Sequence, residues 1–120
     1  MIRIDIPGAK SLCLTKLVLD FNGTLALDGA LLKGVIEKIR RLSNVLEIHI
    51  LTSDTFGTVK SQCETLPVQI RILQTNSHVT EKADYVCQLG KEQVVAIGNG
   101  ANDFHMLQEA ALGILATLRT

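Results

Sequence analysis

Asp20 is the first residue whose setting invites chemistry: a short apolar run, Lys16-Leu17-Val18-Leu19, ends on its carboxylate and passes through Phe21 and Asn22 into Gly23-Thr24. A carboxylate leaving a buried strand into a Gly-Thr turn is well placed as a nucleophile or a metal ligand. Gly23 allows a sharp backbone turn whose freed amides can hold phosphate oxygens, and Thr24 adds a hydroxyl donor. Farther along, Gly98-Asn99-Gly100-Ala101-Asn102-Asp103 combines a flexible turn, oxygen-bearing side chains and a helix start. Oxygen-only ligands suit magnesium, which commonly binds together with a substrate phosphate.

The elements that must position these residues follow from periodicity. Apolar runs predict strands over 16–20, 45–52, 68–73, 93–97 and 112–116. Leu32, Val35, Ile36, Ile39 and Leu42 recur at helical spacing and predict a helix over 31–42. Further helices are expected over 55–66, stopped by Pro67, over 80–89, closed by Gly90, and over 102–111. Met1 to Ile6 alternates and is expected to add an edge strand or a hairpin. Strands alternating with helices imply right-handed crossovers and a parallel sheet covered on both faces. The expected fold is therefore a single α/β domain over 1–120, three-layered and Rossmann-like. In such sheets a ligand sits beyond the carboxyl ends of the strands. Asp20, Thr52 and Asn99 all follow strand ends, so one crevice should receive all three.

Composition narrows the function classes. The chain of 120 residues is 47% hydrophobic and 20% charged, with twelve basic residues against twelve acidic ones. No net field draws it to nucleic acid or anionic lipid. Its four aromatics, Phe21, Phe56, Tyr85 and Phe104, form no base-stacking platform. Cys13, Cys63 and Cys87 lie far apart and form no CxxC pair, so buried free thiols are expected rather than a zinc site or a disulfide framework. Neither a signal peptide nor a bilayer-spanning run is recognisable, and a cytoplasmic location is expected. His49 reads as a strand residue, and His78 and His105 as surface or helix positions. Asp28, Asp54 and Asp84 read as turn or surface carboxylates, with Asp54 near enough to shape the crevice entrance.

Taken together, the motifs resemble those of the haloacid dehalogenase (HAD) superfamily. Asp20-Phe21-Asn22-Gly23-Thr24 is similar to its DxDGT motif, Thr52 to the second motif, Lys82 to the third, and Gly98 to Asp103 to the GDGxND motif. The chain resembles in particular the small soluble proteins described as P-type ATPase-like. The resemblance implies a HAD-like core and a magnesium-dependent phosphohydrolase. Asp20 would attack phosphorus to form an aspartyl-phosphate. Thr52 and Lys82 would hold phosphoryl oxygens, and Gly23, Thr24 and Ser53 would bind substrate. Asp20, the Asn22 carbonyl, Asn99 and Asp103 would surround Mg2+ directly or through water.

Two departures from the family pattern carry consequences. Asn22 stands where the phosphatases have a second Asp that protonates the leaving group and activates water, and an amide does neither. Losing such a group costs ~10² to 10⁴ in rate. Asn99 replaces a metal-binding Asp, which lowers the charge available to a cation. P-type ATPases also lack an acid at the first position and release a leaving group that needs little protonation. The resemblance therefore implies weak turnover that favours activated phosphoryl donors. The alternative is a catalytically inactive phosphate- or partner-binding regulatory module on the same fold.

The spans from Asn22 to Thr52 and from Thr52 to Lys82 are filled by core elements, so no cap domain is expected. An open site of this kind implies a macromolecular substrate or a homo-oligomer. After Gly113-Ile114, the run Leu115-Ala116-Thr117-Leu118-Arg119-Thr120 resembles how relatives end, implying a segment missing near 114–115.

Overall fold

The computed structural model of the chain describes residues 1–21, 23–27, 30–53, 57 and 59–116. Five strands form one wholly parallel sheet: β3 (Lys16–Asp20), β6 (Glu47–Thr52), β7 (Val68–Ile72), β8 (Val94–Gly98) and β9 (Leu112–Leu115). Their order is β7-β6-β3-β8-β9. The first of these strands thus lies at the centre, with the next ones added to either side. The direction of winding reverses at β3, and a doubly wound sheet opens its crevice at such a switch point.

The three central strands, β3, β6 and β8, bury both faces, which is why these segments read as near-continuous apolar runs. Leu17, Leu19, Ile48, Ile50 and Val95 pack on one side with Ile39 of α1 (Val35–Leu42) and Val59 of α2 (Val59–Gln62). Val18, Leu51, Val94 and Ala96 pack on the other with Val86 of α3 (His78–Gly90) and Met106 of α4 (Phe104–Glu109). The expected three layers are present. The opening segment forms an antiparallel hairpin, β1 (Ile2–Ile4) with β2 (Leu12–Leu14), outside the main sheet.

Three helices are shorter than expected, for physical reasons. The helix expected over 31–42 begins only at Val35. Ala30–Leu31 (β5) instead pairs antiparallel with Ala26–Leu27 (β4), and Gly34, at φ 87°, turns the chain into the helix. The helix expected over 55–66 is described only as the single turn Val59–Gln62, while residues 63–66 form turns; 54–56 and 58 lie outside the described residues. The helix expected over 102–111 is shortened to Phe104–Glu109, preceded by one 3-10 turn over Ala101–Asp103.

Of the three cysteines, only Cys63 is buried; Cys13 and Cys87 are exposed, contrary to expectation, and all three are free. β9 runs unbroken through 114–115 beside β8, with Ile97 opposite Ile114 and Gly98 opposite Leu115. Among the described residues no helix is long and apolar enough to cross a membrane.

Candidate active site

The alternation of β3 decides which way its last side chain points. Val18 faces the layer of α3 and α4, so Asp20, two residues on, faces the same side. Lys82 sits one turn into α3, three-per-cent exposed, and its ammonium reaches back across the sheet edge. It lies 3.3 Å from Asp20 Oδ1 and 2.6 Å from Asp103 Oδ1. Asp103 is fully buried, and its second oxygen accepts from the Asn99 and Gly100 amides at 3.0 and 3.2 Å. One buried carboxylate therefore fixes both the lysine and the loop after β8. A buried charge is tolerated only with this degree of pairing and hydrogen bonding.

Above these groups lies a cleft of about 340 Å³, lined by Asp20, Thr52, Ser53, Leu73, His78, Lys82, Asn99, Gly100 and Asn102. It stands at the carboxyl ends of β3, β6 and β8, where the sheet topology puts a ligand. Asp20, Thr52 and Asn99 thus meet in one crevice, as their strand-end positions predict, and Ser53 and Lys82, named by the resemblance, line it with them. Asp103 lies beneath the cleft rather than on its wall. Asn22 lies outside the described residues, as do Asp28 and Asp54. A larger groove of about 540 Å³ runs beside it along α4 and β9 past Phe104, Leu107 and Leu115. Its walls are mostly apolar, and it shares only Asn99 and Gly100 with the polar cleft.

Burial pushes the Asp20 carboxyl up to about 6, against the pull of the Lys82 ammonium beside it; the buried Asp103 pushes in the same direction as burial. The nucleophile candidate is held in a drier environment than an ordinary surface carboxylate.

Two glycines are required by close approach. Gly23 has φ 83°, and a Cβ there would collide with the Asn99 side-chain amide. Gly98 passes so near Asp103 that a Cβ would fall 2.6 Å from its carboxyl carbon. The first and fourth motifs are therefore packed directly against each other. Gly23→Ala is expected to cost about 1–3 kcal/mol from the left-handed backbone alone and to push Asn99 from its place. Urea unfolding measures the first effect, and loss of phosphate-analogue binding the second.

Of the polar side chains lining the cleft, those of His78 and Asn102 were not among the expected site residues. His78 had a readable signal, since it precedes Lys82 by four residues and shares its helix face. His49 is the strand residue expected of it: buried, with Nδ1 2.7 Å from the Tyr85 hydroxyl and Nε2 2.8 Å from Glu47 Oε1. Burial lowers its basicity against the opposing pull of Glu47.

For a divalent cation, the observable donors are the Asp20 carboxylate and the Asn99 side-chain oxygen. Among the described residues no group of three or more His, Cys, Asp or Glu side chains converges on one point. Magnesium is nevertheless compatible with so spare a set, because it keeps several waters and binds through one or two carboxylates plus substrate phosphate. Thr24 Oγ1 is buried and has no hydrogen-bond partner among the described residues. Such a hydroxyl beside the Gly23 turn is the kind of group a bound ligand satisfies.

No family model matches the chain. An uncharacterized protein of Methanocaldococcus jannaschii is 46% identical over 39 residues, 32% of this chain and 89% of that protein. Solved structures align over far more of the fold. A protein described as a HAD family hydrolase from Streptomyces avermitilis superposes with a TM-score of 0.67 at 18% identity over 83% of this chain, which spans only 65% of that one. The cobalt-bound deoxy-D-mannose-octulosonate 8-phosphate phosphatase of Haemophilus influenzae gives a TM-score of 0.67 at 15% identity, over 83% of this chain and 67% of its own. A phosphoserine phosphatase captured as a phospho-aspartyl intermediate analogue gives 0.64 at 17% identity, over 85% and 86% respectively. At these identities the likeness is one of fold, and it agrees with the central β3, the reversal of winding beside it and the cleft at its carboxyl end. The chain therefore has the fold of the haloacid dehalogenase-type hydrolases.

Proposed function

We propose that the chain is a phosphohydrolase that acts through an aspartyl-phosphate on Asp20 and works slowly on unactivated esters. The observation that carries this reading is the Asp20–Lys82–Asp103 constellation. A nucleophile candidate stands at the mouth of the central strand, and a buried lysine is fixed 3.3 Å from it by a second, fully buried carboxylate. Asp20 attacks the phosphorus of a bound monoester or acyl phosphate. Thr52 and Ser53 at the end of β6 donate to the phosphoryl oxygens, and Lys82 offsets charge that builds on them during transfer. Asp103 holds Lys82 forward and steadies the Asn99-Gly100 loop. Asp20 and Asn99, with the Asn22 carbonyl and water, are the residues that would hold Mg2+. When bound, the cation would neutralise charge on the phosphoryl oxygens. The P-type ATPase-like character belongs to this proposal too: Asn22 supplies no acid, so the leaving group departs without help from motif one.

Two measurements test this. With magnesium present, phosphate release from an acyl phosphate should exceed release from a sugar phosphate; equal rates contradict the missing-acid reading. Asn22→Asp should then raise turnover of the sugar phosphate, up to the ~10² to 10⁴ that a positioned acid contributes, while the acyl phosphate gains little. Steady-state phosphate release on both donors reads the effect. Saturable beryllofluoride binding without release from any donor would favour the regulatory module, as Asn22 and Asn99 do.

A further inference from the structure

Removing the usual acid leaves a mechanistic gap, and the cleft contains one other group able to fill it. Of its lining side chains only Asp20, Lys82 and His78 are acidic or basic. Asp20 is the nucleophile, and Lys82 is tied to both carboxylates. His78 opens α3 one helical turn before Lys82, on the face that carries Lys82 into the cleft. It is half-buried, and no side chain among the described residues hydrogen-bonds its ring. Lys82 engages Asp20 and Asp103, and His78 lines the same cleft without such a pairing. In-line displacement puts the leaving oxygen on the side of phosphorus opposite Asp20, so a donor for it must come from another group of the cleft.

We propose that His78 is the proton carrier of this site, giving a proton to the leaving oxygen in place of the absent motif-one acid. In the first half-reaction the Asp20 oxygen–phosphorus bond forms and the bond from phosphorus to the leaving oxygen breaks. The imidazolium N–H passes its proton to that oxygen, so an alcohol departs and a neutral imidazole remains. In the second half-reaction the neutral imidazole takes a proton from water as its oxygen attacks phosphorus. Inorganic phosphate and the Asp20 carboxylate are released, and His78 is charged again. No oxidant, reductant or further reactant is needed. This inference rests on the proposed hydrolase reading and adds a residue to it.

The test compares His78→Asn and His78→Gln with the wild type on two donors, a sugar phosphate with a poor leaving group and acetyl phosphate with a good one. Loss of a general acid is expected to lower kcat on the sugar phosphate by ~10²-fold or more and to lower it far less on acetyl phosphate. Asn22→Asp placed in the His78→Asn protein should restore most of the lost sugar-phosphate turnover, since it returns an acid to the site. Rescue of this kind separates proton transfer from a merely structural role. A uniform loss on both donors, no loss on either, or a double variant as poor as His78→Asn alone would overturn the assignment. A wild type that releases no phosphate from either donor overturns the hydrolase reading and this inference with it. A wild type active on both, with His78→Asn equally active, overturns only the role of His78.

Discussion

Asp20→Asn is expected to abolish phosphate release, lowering kcat on every donor by on the order of 10⁴-fold or more, as removal of a catalytic nucleophile does in other enzymes. The substitution is nearly isosteric, and the residue ends a strand whose preceding side chains, Leu17, Val18 and Leu19, are all buried. The fold should therefore survive. It should even gain a little, because the wild-type carboxylate is held in a desolvated position where burial pushes it up to about 6. An asparagine carries no charge there and asks for no such cost. The distinguishing pattern is thus catalytic collapse with an undiminished unfolding midpoint. Phosphate release and urea denaturation on the same preparation check it together. Turnover persisting within tenfold of wild type would remove Asp20 from the chemistry.

The second large effect belongs to Lys82. Lys82→Met removes the only cation within ion-pairing distance of Asp103 among the described residues and leaves a fully buried carboxylate supported by two amides alone. Breaking a buried pair from one side costs about 3–5 kcal/mol, because the remaining charge is uncompensated. Catalysis should fall as well, since the lysine that offsets developing charge is gone; loss of one such donor costs ~10² to 10³ in kcat. The two effects separate in a double-mutant cycle. If Lys82 and Asp103 act as one unit, Lys82→Met combined with Asp103→Asn should lose less stability than the two single losses added together, with a coupling of roughly 0.5–3 kcal/mol. Strict additivity in urea midpoints would show that the 2.6 Å pair is not an energetic unit.

Most of the candidate cleft was legible in the sequence, because strand ends are legible. Asp20, Thr52 and Asn99 each follow a continuous apolar run, and parallel topology sends all such ends to one edge. Lys82 was readable from its motif, although the reason it faces Asp20 lies in packing: Val18 and Val86 share one layer, so α3 must lie over that side of β3. What could not be read was the work of Asp103. Its place in a motif marked it as a metal-site residue, but the geometry commits one oxygen to Lys82 and the other to two backbone amides. That depends on how closely α3 and α4 pack, which no local pattern encodes.

His78 was missed for a different reason. The helix expected from residue 80 starts at His78, and His78 lines the cleft one turn before Lys82. The Glu81 side chain folds back to accept from the Gln74 and Thr75 amides and the Thr75 hydroxyl at 2.9–3.0 Å, securing the loop that enters the helix. A fold-back of this kind is a tertiary choice among turn residues, and periodicity does not see it. The late start of α1 has the same character, since the Ala26–Leu27 and Ala30–Leu31 pairing diverts apolar residues that otherwise read as helix.

The central claim is a covalent one, that phosphorus is carried on Asp20. Incubation with acetyl phosphate and magnesium, acid quenching and peptide mass spectrometry measure it directly. The account predicts a hydroxylamine-labile phosphoryl adduct on the peptide containing Asp20, formed before free phosphate accumulates and absent from Asp20→Asn. Phosphate release with no adduct on Asp20, or an adduct that persists elsewhere in Asp20→Asn, would contradict it.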